Sequence, residues 1–456
     1  MIGYITNHWM TLHGLFVMLG IAIYAFSSHN MHLHRHPSAA IAWVVSLILL
    51  PYVVLPLYLM FGRRKVGNHR AARREFMAQT FCADTLNFRT QQLAAVMALP
   101  AAVSYQQLNI HEDGTEALQA LRSMIENAKR TIDLCTFIFA QDKLGEEIAD
   151  CLKRRAQAGI KVRLLVDGVG AYLGTRTDFT SLTEAGVEVV FFVPPLRSSL
   201  RGRTNLRNHR KMLIVDGEWL WSGGRNFATE YFSSWVDLSF DLHGKLALQA
   251  QRQFEQDWSF ATGAVHSEPV IYHDLSPESA VGQLIASGPD QTDDTLYTLL
   301  VSGFFAARKS ILAVTPYFVP DPTLLMSLTL AARRGVTVNL LLPKKSNHRL
   351  ADFARHRALR ELIAAGARVW LLSNMIHAKV VVIDDEVALA GSANLDQRSL
   401  FLNYEMMIAF YETNDVKRFS TWIRHQLGKA IPYHVRRLKI WQEIAEGLLL
   451  WLAFQL

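Results

Sequence analysis

Acidic residues are absent from the first 74 positions of this 456-residue sequence, in which the first carboxylate is Glu75. The same stretch holds seven Lys and Arg, which account for the whole formal net charge of +7. The remaining chain carries 40 bases and 40 acids, so that it has no net charge. A nucleic-acid-binding protein needs a basic surface on its folded body, and we therefore expect no nucleic acid as a partner.

Cysteine and charge are also scarce. The three cysteines, Cys82, Cys135 and Cys151, are too few for a disulfide framework and indicate a reducing compartment. Only 19% of the residues are charged, whereas 50% are hydrophobic, which excludes a disordered or low-complexity chain. This balance is more apolar than that of an ordinary soluble enzyme.

Two long uncharged segments lie in the acid-free region. Residues 39–62 comprise 24 uncharged residues, more than the roughly 20 that a helix needs to span a bilayer. We expect Pro51 and Pro56 to kink this helix, as membrane helices tolerate. Residues 9–26 just reach spanning length, so that an interfacial or re-entrant helix is the alternative for them.

The topology follows from the basic cluster at 63–74, immediately after the second segment. The positive-inside rule places such a cluster in the cytoplasm. We therefore expect residues 1–75 to form a membrane helical hairpin whose two ends, and the rest of the chain, lie on the cytoplasmic side. Residues 436–456 begin basic and end apolar, which fits either an interfacial amphipathic helix or a helix packed on the protein core.

An internal repeat is the most informative feature of the remaining chain. The pattern H-x-K-x4-D occurs twice at an offset of 168 residues, as His209, Lys211 and Asp216 and as His377, Lys379 and Asp384. Positions further downstream match at the same offset, namely Asn226 with Asn394 and Asp237 with Glu405. Ser392, in contrast, is matched by Gly224. Aligned copies in one register indicate a duplicated functional unit.

The repeat also predicts the fold class. Segments 128–140 and 307–319 resemble each other, and each is followed by a helical stretch and a short apolar strand. Strands such as 380–383 are almost continuously apolar, which suits a sheet covered on both faces. We therefore expect an α/β protein with two domains related by pseudo-twofold symmetry, each a mixed β-sheet flanked by helices. The predicted units are the hairpin at 1–75, the domains at 76–265 and 266–430, and a C-terminal helix at 431–456.

The repeated residues suit phosphoryl transfer. His and Lys two positions apart on a strand point to the same face, so two copies across a dyad place two imidazoles, two ammoniums and two amides around one pocket. Lysines and amide donors can stabilise the charge that develops on the nonbridging oxygens of a phosphodiester. One histidine can attack phosphorus while the other exchanges protons with the leaving and entering oxygens. Sequence symmetry does not tell which histidine is the nucleophile.

Other positions have supporting roles in this hypothesis. Asn226, Asn394 and Ser392 would bind the phosphate of the substrate. Asp237 and Glu405 would each orient the histidine of its own motif through the far ring nitrogen.

The two aspartates of the pattern, Asp216 and Asp384, end their strands. We treat them as catalytic candidates, with a structural turn or an ion pair as the alternative. The motifs are basic rather than rich in clustered carboxylates, and we therefore expect neither a metal ion nor another cofactor.

With these motifs the chain resembles the phospholipase D superfamily, whose mark is the paired H-x-K-x4-D motif. More narrowly, it is similar to the bacterial cardiolipin synthases. The resemblance rests on the stretches LPLYLMFGRRK (55–65), LRNHRKMLIVDG (206–217), SGPD (287–290), TPYFVPD (315–321), HAKVVVIDD (377–385) and GSANLDQRSLFLNYE (391–405).

The resemblance implies a ping-pong phosphatidyl transfer at the bacterial inner membrane. His209 would attack the phosphorus of one phosphatidylglycerol and expel glycerol, and His377 would act as general acid and then as general base for a second phosphatidylglycerol. Phospholipids would be the substrates, and cardiolipin and glycerol the products. Two alternatives stay open, namely hydrolysis of the intermediate by water and phosphatidylethanolamine as co-substrate. The sequence does not predict the oligomeric state.

Overall fold

The structure, a computed structural model, describes residues 2–30, 37–62, 65, 85–174, 178–194, 204–264 and 280–435. The basic cluster that is predicted to be cytoplasmic lies outside the described residues, apart from Lys65. The C-terminal segment 436–456, for which a helix is predicted, also lies outside them.

Three helices form the N-terminal region: α1 (Ile2–Asn30), α2 (Pro37–Leu49) and α3 (Pro51–Phe61). Within the described residues, one helix is long and apolar enough to cross a membrane, and its spanning part is Trp9–Ser27. The segment 39–62, predicted as one kinked helix, is divided at Leu50 into two shorter helices. Pro51 has no N–H with which to continue α2, and it begins α3 at the first position, where that N–H is not needed.

Contacts from α1 compensate for the helix break. The Nε2 atom of His13 lies 3.1 Å from the carbonyl oxygen of Ile48, whose helical partner is lost at the break. The ring of Tyr52 lies 5.0–5.7 Å from the rings of Trp9, His13 and Phe16. A polar histidine in an apolar span is thus accounted for, because the break supplies its hydrogen-bond acceptor.

The body begins with α4 (Leu86–Val96), and its first half then follows. The strands of this half are β1 (Val103–His111), β2 (Thr131–Thr136), β3 (Lys161–Asp167), β4 (Glu188–Phe192), β5 (Arg207–Asn208), β6 (Met212–Val215), β7 (Trp219–Gly223) and β8 (Ser239–His243). Its helices are α5 (Gly114–Glu126), α6 (Lys143–Gln157), α7 (Gly168–Leu173), α8 (Phe179–Glu184), α9 (Thr229–Ser233) and α10 (Lys245–Thr262).

The second half repeats this succession of elements. Its strands are β9 (Ala280–Ser287), β10 (Ser310–Val314), β11 (Phe318–Val319), β12 (Thr337–Pro343), β13 (Arg368–Leu372), β14 (Val380–Ile383), β15 (Val387–Gly391), β16 (Leu395–Asp396), β17 (Asn403–Phe410) and β18 (Ile431–Pro432). Its helices are α11 (Thr295–Ala306), α12 (Pro322–Arg333), α13 (Arg349–Ala364), α14 (Gln397–Phe401) and α15 (Thr413–Lys429).

The sheet order displays the internal symmetry. One half runs β13-β12-β10-β14-β15-β17-β9 and continues into the other as β1-β8-β7-β6-β2-β3-β4. The strands β2, β3 and β4 are parallel to one another, as are β10, β12 and β13. The remaining strands of this path pair antiparallel, including β1 with β9 at the junction. The predicted fold of two mixed sheets with flanking helices is confirmed.

Three buried clusters of apolar side chains hold the layers together. One cluster combines residues of both halves and therefore lies between the two halves of the sheet. The other two each belong to one side, where helices cover the outer face of a sheet. In β14, Val380 and Val382 belong to the shared cluster, whereas Val381 and Ile383 belong to the helix-covered one. This alternation explains why the strand is apolar at every position, since both of its faces are buried.

Candidate active site

The two H-x-K motifs meet where the halves of the chain contact each other. Strand β5 pairs with the start of β17, and the N–H of His209 donates to the carbonyl of Tyr404 at 2.9 Å. In the opposite direction, the N–H of His377 donates to the carbonyl of Val236 at 2.7 Å. Each histidine is therefore held by the backbone of the other half, and the two motifs share one site.

Carboxylates are exchanged between the halves in the same way. The Nδ1 atom of His209 lies 3.0 Å from a carboxylate oxygen of Glu405, and Nδ1 of His377 lies 2.8 Å from Asp237. The expectation that each acid serves the histidine of its own motif is therefore corrected. The reason is topological, because the start of β17, which carries Glu405, pairs with β5 beside His209. Val236, the residue before Asp237, likewise forms a bridge with Ile376, the residue before His377. Fixing Nδ1 leaves Nε2 of each ring to face the reaction.

Both lysines are buried beside their histidines. The Nζ atom of Lys211 donates to the carbonyl of His209 at 2.7 Å. The Nζ atom of Lys379 lies 2.8 and 2.9 Å from the two ring nitrogens of His377. Burial lowers the pKa of Lys211 to about 8, against the opposing effect of Glu405. Burial likewise lowers the pKa of Lys379 to about 7, against the effect of Asp237.

The histidines are neutral at physiological pH. Burial lowers the pKa of His209 to about 4, although the charge of Glu405 opposes the shift. Burial and the adjacent Lys379 lower the pKa of His377 to about 3, again against its carboxylate partner. In the free site the positive charge near pH 7 therefore lies mainly on Lys211 and only partly on Lys379, and the imidazoles are available as nucleophile and base.

The asparagines line the same buried region. Asn226 and Asn394 are both almost completely buried. The amide oxygen of Asn226 accepts from the N–H of Ile138 at 3.4 Å, which leaves its NH₂ group to donate. The amide oxygen of Asn394 is buried and has no hydrogen-bond partner among the described residues. Because this atom is an acceptor, it can receive the hydroxyl of a ligand or a water molecule, but not a phosphate oxygen.

Ser392 has a different role from the one its position suggests. Its hydroxyl donates to Glu405 at 2.5 Å, so that it supports a carboxylate instead of facing the phosphate. In the first half, a Cβ at Gly224 would lie only 2.2 Å from Asp237. A serine cannot replace Gly224 without displacing that carboxylate, which explains why the two halves differ at this position.

The aspartates of the repeated pattern lie at the opposite ends of their strands from the histidines. Asp216 accepts three backbone N–H groups at the start of β2, from residues 129–131, at 2.6–2.9 Å. Asp384 accepts the equivalent three at the start of β10, from residues 308–310, at 2.7–2.8 Å. Both have positive φ angles of 55° and 56°, as a tight turn requires. The geometry supports the structural turn rather than direct chemistry.

Replacing Asp384 by asparagine is expected to reduce stability without affecting substrate use. Because the amide NH₂ cannot accept the N–H groups it would face, we expect a loss of about 1–3 kcal/mol in the free energy of unfolding. Denaturant or thermal unfolding of the detergent-solubilised protein measures it. The neighbouring Asp385→Asn is the control, since its ion pair with Arg424 is exposed. A selective loss of kcat in folded Asp384→Asn protein would contradict the structural role.

Sequence reasoning missed an arginine inside the first motif. Arg210 is completely buried and contacts Asp257, Asp290 at 2.9 Å and the carbonyl of Glu405 at 3.1 Å. It therefore connects helix α10, the SGPD loop after β9, and strand β17, which carries Glu405. The repeat could have pointed to Arg210, because the equivalent position in the second motif is Ala378 and a charged residue in one copy alone breaks the symmetry.

Aromatic rings that the repeat does not predict form the walls of the site. The ring of Phe137 lies 5.2 Å from that of His209, and Nζ of Lys211 lies 5.9 Å from its centroid. The rings of Tyr231 and Trp235 lie 4.9 and 5.4 Å from His377. These rings contribute to the burial that keeps the histidines neutral.

Two known families match the chain. The family described as cardiolipin synthase, PLD-like domain, matches residues 121–258 and 300–427. The family described as phospholipase D-nuclease N-terminal matches residues 17–63. The first pair of matches covers more than half of the chain and contains both H-x-K motifs.

Curated relatives are similar along most of their length. Cardiolipin synthase A of Pseudomonas putida is 33% identical over 91% of this chain and 91% of its own. Cardiolipin synthase 2 of Bacillus anthracis is 32% identical over 89% of this chain and 84% of its own. The major cardiolipin synthase of Bacillus subtilis is 32% identical over 86% of this chain and 88% of its own.

Solved structures share the fold. Phosphatidylserine synthase from Haemophilus influenzae superposes with a TM-score of 0.61 at 18% identity, over 80% of this chain and 96% of its own. Polyphosphate kinase from Porphyromonas gingivalis gives a TM-score of 0.51 at 15% identity, over 76% and 53%. At such identities these likenesses show the fold alone, whereas the family match and the curated relatives go further. On their evidence, the chain belongs to the cardiolipin synthases of the phospholipase D superfamily.

Proposed function

We propose that this phosphatidyltransferase carries the phosphatidyl group on His209, moving it from one phosphatidylglycerol to the hydroxyl of a second. The observation that carries the assignment is the unequal state of the two histidines. Lys379 lies against both ring nitrogens of His377, whereas Nε2 of His209 has no partner among the described residues. A free, neutral nitrogen suits the nucleophile, and a ring beside an ammonium suits proton transfer.

In the first step, Nε2 of His209 attacks the phosphorus, and the bond from phosphorus to the glycerol oxygen breaks. A bound phosphodiester adds negative charge beside His377, which raises its pKa and lets it hold the proton that the glycerol oxygen takes. Lys211 and Lys379, with the amide NH₂ groups of Asn226 and Asn394, stabilise the charge on the nonbridging oxygens.

In the second step, His377 is neutral and accepts the proton of the entering hydroxyl. The oxygen of that hydroxyl attacks the phosphorus, the bond to His209 breaks, and cardiolipin leaves. Glu405 and Asp237 keep both rings in one orientation and one tautomer throughout.

Hydrolysis is the second candidate for the fate of the intermediate, because water and an alcohol react through the same residues. Proteoliposomes that contain phosphatidylglycerol as the sole lipid distinguish the two. Equal amounts of cardiolipin and glycerol support transfer, whereas free phosphatidic acid without cardiolipin would contradict it. Adding phosphatidylethanolamine tests that lipid as co-substrate, and the His209→Ala protein supplies the background.

We further propose that the protein lies in the bacterial inner membrane with its site on the cytoplasmic side. The basic flank of the hairpin supports this orientation. Protease accessibility, or labelling of a cysteine introduced at the exposed Lys129, in spheroplasts and in inverted vesicles tests it, because the body should be reached only in the inverted vesicles.

The kcat/KM for phosphatidylglycerol is expected to fall as the pH rises from about 7 to about 9. Both lysines have pKa values below that of a free lysine, so they lose the charge that binds phosphate in this range. Lys211→Arg should remove the part of the fall near pH 8 and leave the part near pH 7 that belongs to Lys379, since a guanidinium stays charged. A pH–rate profile with Lys129→Arg as control measures this, and a flat kcat/KM up to pH 10 would contradict it.

A further inference from the structure

The edge of the body that holds the site also exposes side chains that this chemistry does not use. Among the described residues outside the hairpin, Tyr172 and Leu173 have the highest exposed fractions of all large apolar side chains, 71% and 61%. Both lie at the end of α7, which directly follows β3. The C-terminal end of β3 lies at the same end of the sheet as the start of β6, which directly follows the first H-x-K motif.

Helix α7 is packed against the wall of the site. The carboxylate of Asp167 caps it by accepting from the N–H of Gly170 at 3.0 Å. A Cβ at Gly170 would lie only 1.7 Å from the carbonyl oxygen of Phe137, whose ring contacts His209. The exposed end of α7 is therefore a fixed part of the mouth of the site.

The equivalent place in the second half is basic. Strand β12 corresponds to β3, and the segment that follows it exposes Lys344, Lys345, His348 and Arg349. This segment is also held in place, because the hydroxyl of Tyr317, the residue before β11, donates to its Asn347 at 2.5 Å. Two positions related by the internal symmetry thus carry an apolar pair on one side and three cationic side chains with a histidine on the other.

The membrane hairpin reaches the body at this same edge. The Nζ atom of Lys65, three residues past Gly62, donates to the carbonyl of Gly288 at 3.1 Å and pairs with Asp294 at 3.0 Å. Gly288 follows the end of β9, where Ser287 is in register with Glu405 of the site. The chain therefore leaves the membrane segment beside the mouth of the site.

We propose that Tyr172 and Leu173, together with the basic segment 344–349, form a docking face that seats the mouth of the site on an anionic lipid bilayer. The apolar pair would enter the headgroup region, and the bases would contact lipid phosphates. A bilayer is the occupant that fits, because the substrates are phospholipids and the tether at Lys65 brings the membrane to this edge. Charge complementarity selects an anionic bilayer over a neutral one.

The first test uses full-length protein in vesicles and needs no turnover, so its outcome is independent of the proposed chemistry. Leu173→Cys in a Cys82→Ser background is labelled with a polarity-sensitive fluorophore, since Cys135 and Cys151 are buried. The control carries the label at Lys309→Cys, just before the start of strand β10, at the end of the sheet that is opposite to the site. We expect spin-labelled lipid to quench the label at 173 several-fold more than the control in phosphatidylglycerol vesicles. Equal quenching at both positions would overturn the proposal.

The second test removes the two kinds of contact separately. One double variant removes the apolar pair (Tyr172→Ser with Leu173→Ser), and another removes two of the bases (Lys344→Ala with Lys345→Ala). Each should raise the KM for phosphatidylglycerol, expressed as surface concentration, several-fold without lowering kcat. Lys129→Ala with Lys309→Ala is the matched control, because it removes two exposed charges from the opposite edge. Neutral phosphatidylcholine vesicles should reduce quenching at position 173. An unchanged KM in both site-edge variants, or a loss confined to kcat, would contradict the docking face.

Discussion

His209→Ala is expected to lose phosphatidyl transfer by on the order of 10⁴-fold or more, because the proposed nucleophile is removed and Lys379 occupies both ring nitrogens of the other histidine, His377. Conversion of radiolabelled phosphatidylglycerol to cardiolipin in proteoliposomes measures the loss. His111→Gln is the matched control. His111 also pairs with a carboxylate, Asp241 at 2.5 Å, but on strands outside the site, and its replacement should leave the rate unchanged.

His377→Ala separates the two histidine roles. This variant should still form the phosphohistidine from a phosphatidyl ester with an activated leaving group, since such a group departs without a proton. It should fail with phosphatidylglycerol, whose glycerol oxygen needs one. Acid-labile labelling of the protein, located by peptide mapping, gives the answer. An adduct on His377 in the His209→Ala protein would reverse the assignment.

Arg210→Met is expected to lower the free energy of unfolding by about 3–5 kcal/mol, because it leaves buried carboxylates without their cation. Burial raises the pKa of Asp257 to about 6, and Arg210 opposes that shift. Without the arginine, the carboxylate must be protonated or remain as an unpaired buried charge. Unfolding of the solubilised protein measures the change. Arg130→Ala is the control, since its pair with Glu218 is exposed and worth less than about 1 kcal/mol.

A double-mutant cycle tests whether the pair itself is responsible. Asp257→Leu combined with Arg210→Met should cost less than the sum of the single changes, because the double variant buries no unpaired charge from this pair. Additive effects would show that the pair with Asp257 is not the source of the loss.

Much of this protein is readable from its sequence. The duplicated pattern identifies the histidines and lysines that the structure brings together, and the apolar strands predict a sheet buried on both faces. The prolines at positions 51 and 56 indicate an irregular helix, but not how far it breaks. A missing N–H removes one hydrogen bond, and whether a helix bends or ends depends on its neighbours, here the contacts of His13 and Tyr52.

The sequence does not predict which carboxylate contacts which histidine. A repeat aligns Asp237 with Glu405, but it does not tell which histidine each one meets. That depends on the contact between β5 and β17, which joins residues almost 200 positions apart. The role of Ser392 depends on the same contact, because only the fold shows that Glu405 lies within reach of its hydroxyl.

The sequence by itself determined the family, the duplicated α/β architecture, the identity of the histidines and lysines, and the placement of the net charge beside the membrane segment. Only the tertiary structure decided the exchange of acids between halves, the turn role of Asp216 and Asp384, and the burial of Arg210. The physical reason is that periodicity and spacing record which face of an element is buried. Partners distant along the chain are chosen by how those faces pack.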